Sequence, residues 1–414
     1  MHICSTTPST SVSAIGSKML DKFRTLWRGQ RETLGKEQLE RLTQLQGAVW
    51  IHAASVGEFE QARPLIEKLR NERSRQKIVV TFFSPSGYEA RKNYDLADAV
   101  LYLPFATRLK ARRFIDALQP KMAIFVKYEF WPAYIRQLHK QGIPTYSICS
   151  IFRSNQVFFR PWGGGQRRLL KMLTHLYVQN EASQQLLAKY GIHQVTVVGD
   201  TRFDRVKQVQ SVPTTKDVSP IELFVAGTER VIIAGSTWPK DEQLLAQYMS
   251  LQPSDVSSQT KLILVPHEID EAHLHFIFNL FQGRMVKYSA VSSQHSEDSI
   301  RNILRQANVL VIDTMGLLST IYRFGQVAYI GGGFGVGIHN TIEAAVYGVP
   351  ALFGPHYQHF REAKGLIEAG AARSIKNYPE LEAALETALA DHEAIGTKAA
   401  QYVESELGAT DRIY

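Results

Sequence analysis

Two carboxylates stand where a proton could be taken from a substrate. Glu58 lies in Ala54-Ser55-Val56-Gly57-Glu58-Phe59-Glu60, between an apolar run and a helix-like stretch. An ionised carboxylate can accept a hydroxyl proton, and one at a helix N-terminus is stabilised by the dipole. Ser55 and Gly57 are small enough for a ligand to approach the backbone. The same S-x-x-E spacing also fits a capping box, in which Ser55 and Glu58 only close the helix. Glu129 lies in Lys127-Tyr128-Glu129-Phe130-Trp131-Pro132. A charged pair followed by aromatics at a strand's carboxyl end suits an active site. It equally suits a surface salt bridge beside a packed Trp131.

A third segment has the residue types that hold a nucleotide. Five glycines fall between Gly331 and Gly337, ahead of Ile338-His339-Asn340-Thr341-Ile342-Glu343. Such a run lets the chain approach phosphate or ribose, and a carboxylate such as Glu343 can accept two hydrogen bonds from a ribose diol. The run is not a dinucleotide fingerprint, which belongs after a first strand. Shorter polar loops include Ser236 (in Gly235-Ser236-Thr237), Pro266-His267-Glu268, Asp313-Thr314-Met315-Gly316 and Gly354-Pro355-His356.

Charge is distributed unevenly. The chain has 47 Lys+Arg against 39 Asp+Glu. Between Phe130 and Asn180 seven Lys/Arg occur and no acidic residue, with Arg153, Arg160, Arg167 and Arg168 interleaved with Phe152, Phe158, Phe159 and Trp162. Basic residues among aromatics read as exposed fit a phosphorylated or membrane-bound substrate or single-stranded nucleic acid. Met19 to Arg31 is basic with apolar residues at helical spacing, suited to lying on anionic lipid or to packing on its own domain. The two cysteines, Cys4 and Cys149, are far apart, which argues against a disulfide framework; Cys149 reads as a buried small hydrophobe. No apolar run is long enough to span a membrane, and no secretory signal is evident.

Positioning these loops requires strands that end beside them. Apolar runs at Val49–Ala53, Ile78–Phe83, Val100–Leu103, Met122–Val126, Thr145–Cys149 and Leu176–Val178, then Val231–Ala234, Leu262–Val265, Val309–Ile312, Val327–Ile330 and Ala351–Phe353 alternate with helix-like stretches. Strands apolar on consecutive positions are covered on both faces, so parallel α/β sheets are expected. Polar, proline-bearing Lys207 to Pro220 reads as a linker, giving domains at 1–206 and 221–414 with ligands bound in a cleft beyond the strand ends.

In order, SVGE, YEFWP, V-x-GDTRFD, GST, DTMG and GGG…HNTIEAA…GVPALFGPH resemble the 3-deoxy-D-manno-octulosonic acid (Kdo) transferases of lipopolysaccharide synthesis, over roughly residues 47 to 375. The resemblance implies a GT-B glycosyltransferase fold: two Rossmann-like domains facing across a cleft, the last helix crossing back. It implies inverting transfer of Kdo from CMP-Kdo to a phosphorylated lipid A precursor (lipid IVA), with no metal or other cofactor. Location would be peripheral, on the cytoplasmic face of the inner membrane, with its anionic surface as partner and nucleic acid as none.

By motif, Glu58 resembles the family's general base and Glu129 its second carboxylate. Ser55, Gly57, Ser236, Pro266, His267, Asp313 to Gly316, Gly333, Asn340 and Glu343 fall on the donor side, Glu343 on the ribose. Lys127, Arg153, Arg160, Arg167 and Arg168 fall on the acceptor side. Lys127 stands where the family usually has Glu, and His267 where it often has Arg. The rival readings are another nucleotide-sugar transferase or 2-epimerase of the same fold, or a non-catalytic lipid A or polyanion binder.

Overall fold

The computed structural model describes residues 24–252, 260–281, 283–294, 296–305, 307–335 and 337–414. Cys4, the start of the basic segment (Met19 to Phe23) and Val336 of the glycine run lie outside them. The chain forms two compact units, residues up to Arg205 with Leu407–Tyr414, and Val206–Glu406.

The first unit is built on seven strands: β1 (Val49–Ala53), β2 (Ile78–Phe82), β3 (Ala99–Tyr102), β4 (Met122–Val126), β5 (Thr145–Ser150), β6 (His175–Val178) and β7 (Val195–Val197). They pair in parallel in the order β3-β2-β1-β4-β5-β6-β7. β1 and β2 are buried at every position, because helices cover both faces of the sheet. On one face Trp50 packs edge-on against Phe114, Phe125 and Tyr134. On the other, Ile51, Phe59 and Phe82 share a core. Each fully buried large side chain of this kind contributes roughly 1.5–3 kcal/mol. Cys149 is fully buried, and burial pushes its thiol up to about 12.

The second unit repeats the plan with β8 (Val231–Thr237), β9 (Lys261–Pro266), β10 (Met285–Lys287), β11 (Val309–Val311), β12 (Val327–Ile330), β13 (Ala351–Phe353) and β14 (Ala372–Ser374). Their order is β10-β11-β9-β8-β12-β13-β14, again parallel. In each sheet the chain builds the strands on one side of its first strand and then returns to build those on the other, with β11 inserted between β9 and edge strand β10 in the second sheet. The reversals fall between β1 and β4 and between β8 and β12. The crevice beyond the strand ends at such a switch point is where open α/β sheets bind ligands.

The expected linker at Lys207–Pro220 is corrected. Helix Thr201–Ser211 runs through its first five residues and helix Ser219–Val225 takes its last two. The prolines are punctuation rather than linker markers: Pro213 follows the end of one helix, where a continuing turn is disfavoured, and Pro220 sits in the first turn of the next, where proline is tolerated. The unit boundary lies within the first of these helices.

Candidate functional site

In the first unit, the loops leaving β1 and β4 meet at the switch point. Ser55 caps the helix Val56–Glu72, its hydroxyl accepting from the Glu58 N–H at 3.4 Å. The Glu58 carboxylate turns back to accept the Ala54 N–H at 2.6 Å. The capping reading is therefore correct for Ser55, and the Glu58 carboxylate is tied back through the backbone N–H groups of Ala54 and Ser55. Burial raises the Glu58 pKa, and the negative charge of Glu129 raises it further; the Ala54 N–H and the Lys127 ammonium offset part of the rise. A Cβ on Gly57 would meet nothing within 4 Å, so packing does not demand glycine there.

The second loop is held tightly. Lys127 has φ +55°, a left-handed conformation that is uncommon and costly for a residue with a side chain. Its carbonyl accepts the Ser150 hydroxyl at 2.6 Å, and the Tyr128 hydroxyl donates to the Ile151 carbonyl. Glu129 accepts the Trp131 indole N–H at 2.7 Å. That N–H also lies 3.1 Å from Nε2 of His52, a fully buried residue of β1 whose Nε2 is 3.4 Å from Glu129. His52 was not singled out from sequence. The signal was there, a lone imidazole in the apolar run Val49–Ala53.

The basic-aromatic stretch needs one correction. Phe152, Phe158 and Phe159 are buried, not exposed; Phe152 stacks on Phe130, and the other ring contacts of the cluster are edge-on. Trp162 alone of the four is exposed, at 75%. The Arg167 guanidinium is turned inward, donating to the carbonyls of Phe158 at 2.8 Å and Arg160 at 3.0 Å and lying over Tyr190. Through Nη1 it holds the turn together. Arg160 and Arg168 are exposed, and Arg153 is half-buried beside Tyr128.

In the second unit, the loops after β8 and β12 meet in the same way. Ser236 has φ +55°. Asp241, buried in the helix Pro239–Ser250, accepts the Gly332 N–H at 2.9 Å, the Trp238 N–H at 3.0 Å and the Tyr329 hydroxyl at 2.8 Å, which clamps both loops. The glycines serve packing first: a Cβ on Gly331 would lie 2.2 Å from the Ser236 carbonyl, and one on Gly333 2.6 Å from the Gly354 nitrogen.

His267, which follows Pro266 at the end of β9, stacks on Trp238 and on His339, with ring centres 4.8 and 4.5 Å apart. Burial and the His267 neighbour lower the His339 pKa. Asn340 donates to Glu343 at 3.0 Å. Asp313 is drawn elsewhere: its carboxylate accepts the backbone N–H of Ser289 at 2.9 Å and the Ser289 hydroxyl, on the helix after edge strand β10. Thr314 is half-buried, Met315 exposed, and Gly316 needs glycine at φ +86°. Among the described residues, no three His, Cys, Asp or Glu side chains gather as a metal ligand set.

Two doubly wound parallel sheets, each with its polar loops at the switch point, define the GT-B class of folds. Solved structures share the fold. A UDP-GlcNAc 2-epimerase from Neisseria meningitidis bound to UDP-GlcNAc superposes with a TM-score of 0.62 at 15% identity, over 88% of this chain and 98% of that one. The glycotransferase of kitacinnamycin gives 0.54 at 14%, over 89% and 98%.

Sequence narrows the class. Residues 28–205 match the family model described as 3-deoxy-D-manno-octulosonic-acid transferase (kdotransferase). The 3-deoxy-D-manno-octulosonic acid transferase of Aquifex aeolicus is 26% identical over 83% of this chain and 86% of its own length. That of Bordetella pertussis is 26% identical over 89% and 86%. The chain is thus similar to Kdo transferases over most of its length, and their family model matches its first unit.

Proposed function

We propose that this enzyme transfers Kdo from CMP-Kdo to a hydroxyl of the phosphorylated lipid A precursor lipid IVA, with inversion at the anomeric carbon and without a metal or other cofactor. The observation that carries the reading is Glu58: a carboxylate at the switch point, with its pKa raised by burial and by Glu129, in the motif that the family uses for its base. A raised pKa brings a carboxylate closer to the range in which it exchanges protons near neutrality. Glu58 accepts the hydroxyl proton as the acceptor oxygen attacks the anomeric carbon; the bond from that carbon to the CMP phosphate breaks, and CMP leaves. Loops of the second unit around Ser236, His267, Gly333, Asn340 and Glu343 bind the donor nucleotide. Asp313 has a structural share through Ser289, leaving Thr314 to Gly316 as the contacting part of its loop.

On the acceptor side, Lys127, Arg153, Arg160 and Arg168 meet the lipid phosphates, and exposed Trp162 enters the interfacial region of an anionic membrane. In this reading the enzyme lies peripherally on the cytoplasmic face of the inner membrane. Among the described residues no helix is long and apolar enough to cross one.

The test is a transfer assay with CMP-Kdo generated in situ, lipid IVA and mass spectrometry. A product heavier by one or more Kdo units, formed equally in the presence of a chelator, supports the reading. Epimerisation of a UDP-sugar without any acceptor, or lipid binding with no turnover, overturns it.

A further inference from the structure

We propose that His52 is a positioning residue for the Glu129 carboxylate, acting through the indole of Trp131. The proposal rests on reading Glu58 and Glu129 as the reactive pair. His52 sits in the central strand β1, fully buried, among Trp50, Ile51 and Ala53. A buried imidazole is tolerated only when both ring nitrogens are satisfied, and here both are.

Nδ1 lies 3.0 Å from the Thr81 carbonyl oxygen and 2.9 Å from the Thr81 hydroxyl. A carbonyl can only accept, so Nδ1 carries the proton. Thr81 is fixed in turn by the Trp50 indole, which donates to its hydroxyl at 2.9 Å. With the proton on Nδ1, Nε2 presents a lone pair, and it presents it to the Trp131 N–H at 3.1 Å.

That single N–H is shared between His52 and Glu129, the shorter contact going to the carboxylate at 2.7 Å. Phe83 packs on the indole with ring centres 5.0 Å apart. The chain of contacts therefore runs from Trp50 through Thr81, His52 and Trp131 to Glu129, and ends at the carboxylate that raises the Glu58 pKa. Three of its members lie on β1 and β2, the rigid centre of the sheet, while the target lies on a loop. The ionisable neighbours of the assembly are Glu129 against Nε2 and, beyond it, Glu58 and Lys127.

Two readouts test this on the full-length protein. The first is a double-substitution cycle on kcat/KM with CMP-Kdo and lipid IVA. His52→Leu removes the acceptor and is expected to cost roughly tenfold, as loss of an orienting hydrogen bond does elsewhere. His52→Gln keeps an acceptor near the Nε2 position and restores most of the rate. In a Glu129→Gln background His52→Leu is expected to cost less than about twofold, because the group it positions is gone. An equal loss in both backgrounds overturns the proposal.

The second readout needs no substrate. With indole-15N-labelled tryptophan, and Trp131 identified by Trp131→Phe, the Trp131 N–H resonance moves on both His52→Gln and Glu129→Gln. Trp50 follows only the His52 substitution, while Trp27, Trp162 and Trp238 stay in place. A Trp131 signal indifferent to both substitutions overturns the positioning role. A responsive Trp131 in a protein that transfers no Kdo supports the positioning and sinks the functional reading instead.

Discussion

The charge of Glu129 raises the pKa of Glu58 although the two leave the sheet from different strands, β1 and β4. Those strands are hydrogen-bonded neighbours, with His52 opposite Phe125 in the register. Parallel neighbours at a switch point end together, so their following loops face each other. The pairing also has an energetic consequence. Two carboxylates that share a half-buried site resist being ionised at once, so Glu58 retains its proton more readily, which suits the base role proposed for it.

Replacing Glu58 should separate chemistry from folding. Glu58→Gln is expected to lower kcat by about 10²–10⁴ with donor binding unchanged. Its effect on stability has the opposite sign. A carboxyl whose pKa is higher in the folded chain contributes stability fully below its unfolded pKa and loses it as pH rises through the folded value. At neutral pH the ionised Glu58 is therefore a cost that the amide lacks. Thermal unfolding should show Glu58→Gln melting above the wild type at neutral pH, with the gap closing as pH falls through the folded pKa. A variant less stable than wild type at neutral pH would mean that the Ala54 hydrogen bond outweighs burial.

The acid limb of the rate profile should move in opposite directions for the two neighbours of Glu58. Glu129→Gln removes a negative charge that raises the Glu58 pKa, so the limb moves to lower pH. Lys127→Met removes a positive charge that lowers it, so the limb moves to higher pH. Measuring kcat/KM against pH for both variants checks the pair. Shifts in the same direction would show that the limb belongs to another group.

Asp200 is the structural counterpart in the same unit. Burial pushes its pKa up, but Arg202 and the Gln61 amide outweigh this and hold it below the usual range. It accepts from Gln61 and Gln179, each at 2.9 Å, and pairs with Arg202 at 2.8 Å. Asp200→Ala removes the acceptor of the buried Gln61 amide and one of the two acceptors of Gln179, and should cost about 1–3 kcal/mol, read by denaturant unfolding. Because the folded pKa is depressed, this stability is present above the unfolded pKa and disappears as pH falls through the folded one. Equal wild-type and variant stabilities at neutral pH would contradict the account.

Much of this was legible in the chain. The central strands are runs of consecutive apolar residues, and β1, β4, β12 and β13 begin and end where those runs do. The edge strands β7, β10 and β14 were missed because each is three residues long and partly exposed, so no apolar run marks them. Glu58 and Glu129 each stood out by local motif. Their proximity did not, since it depends on strand order. His52 was hidden by its surroundings: in a run of buried residues one polar side chain looks like an exception to packing until its partners on β2 and the β4 loop are known. The carbonyl contacts of Arg167 were hidden for the converse reason. Composition records a charge but not the carbonyls that a folded turn offers it.

Arg160, just after the 3-10 turn Val157–Phe159, and Arg167 and Arg168 of the helix Gly164–Met172 allow a contrast that charge alone would not predict. Arg160 and Arg168 are exposed, so their guanidinium groups are available to an anionic headgroup. Arg167 spends its hydrogen bonds on Phe158 and Arg160. Arg160→Ala with Arg168→Ala is expected to raise the KM for lipid IVA roughly tenfold, with the KM for CMP-Kdo unchanged and a steep salt dependence lost. Arg167→Ala should instead lower stability by about 2 kcal/mol, the loss of charge-assisted bonds to carbonyls. Any rise in lipid KM should be secondary to loosening of the turn. Kinetics in mixed micelles and thermal unfolding of the same preparations distinguish the two. If Arg167→Ala raised the lipid KM as much as the double variant while melting like the wild type, Arg167 would belong with the acceptor-binding residues after all.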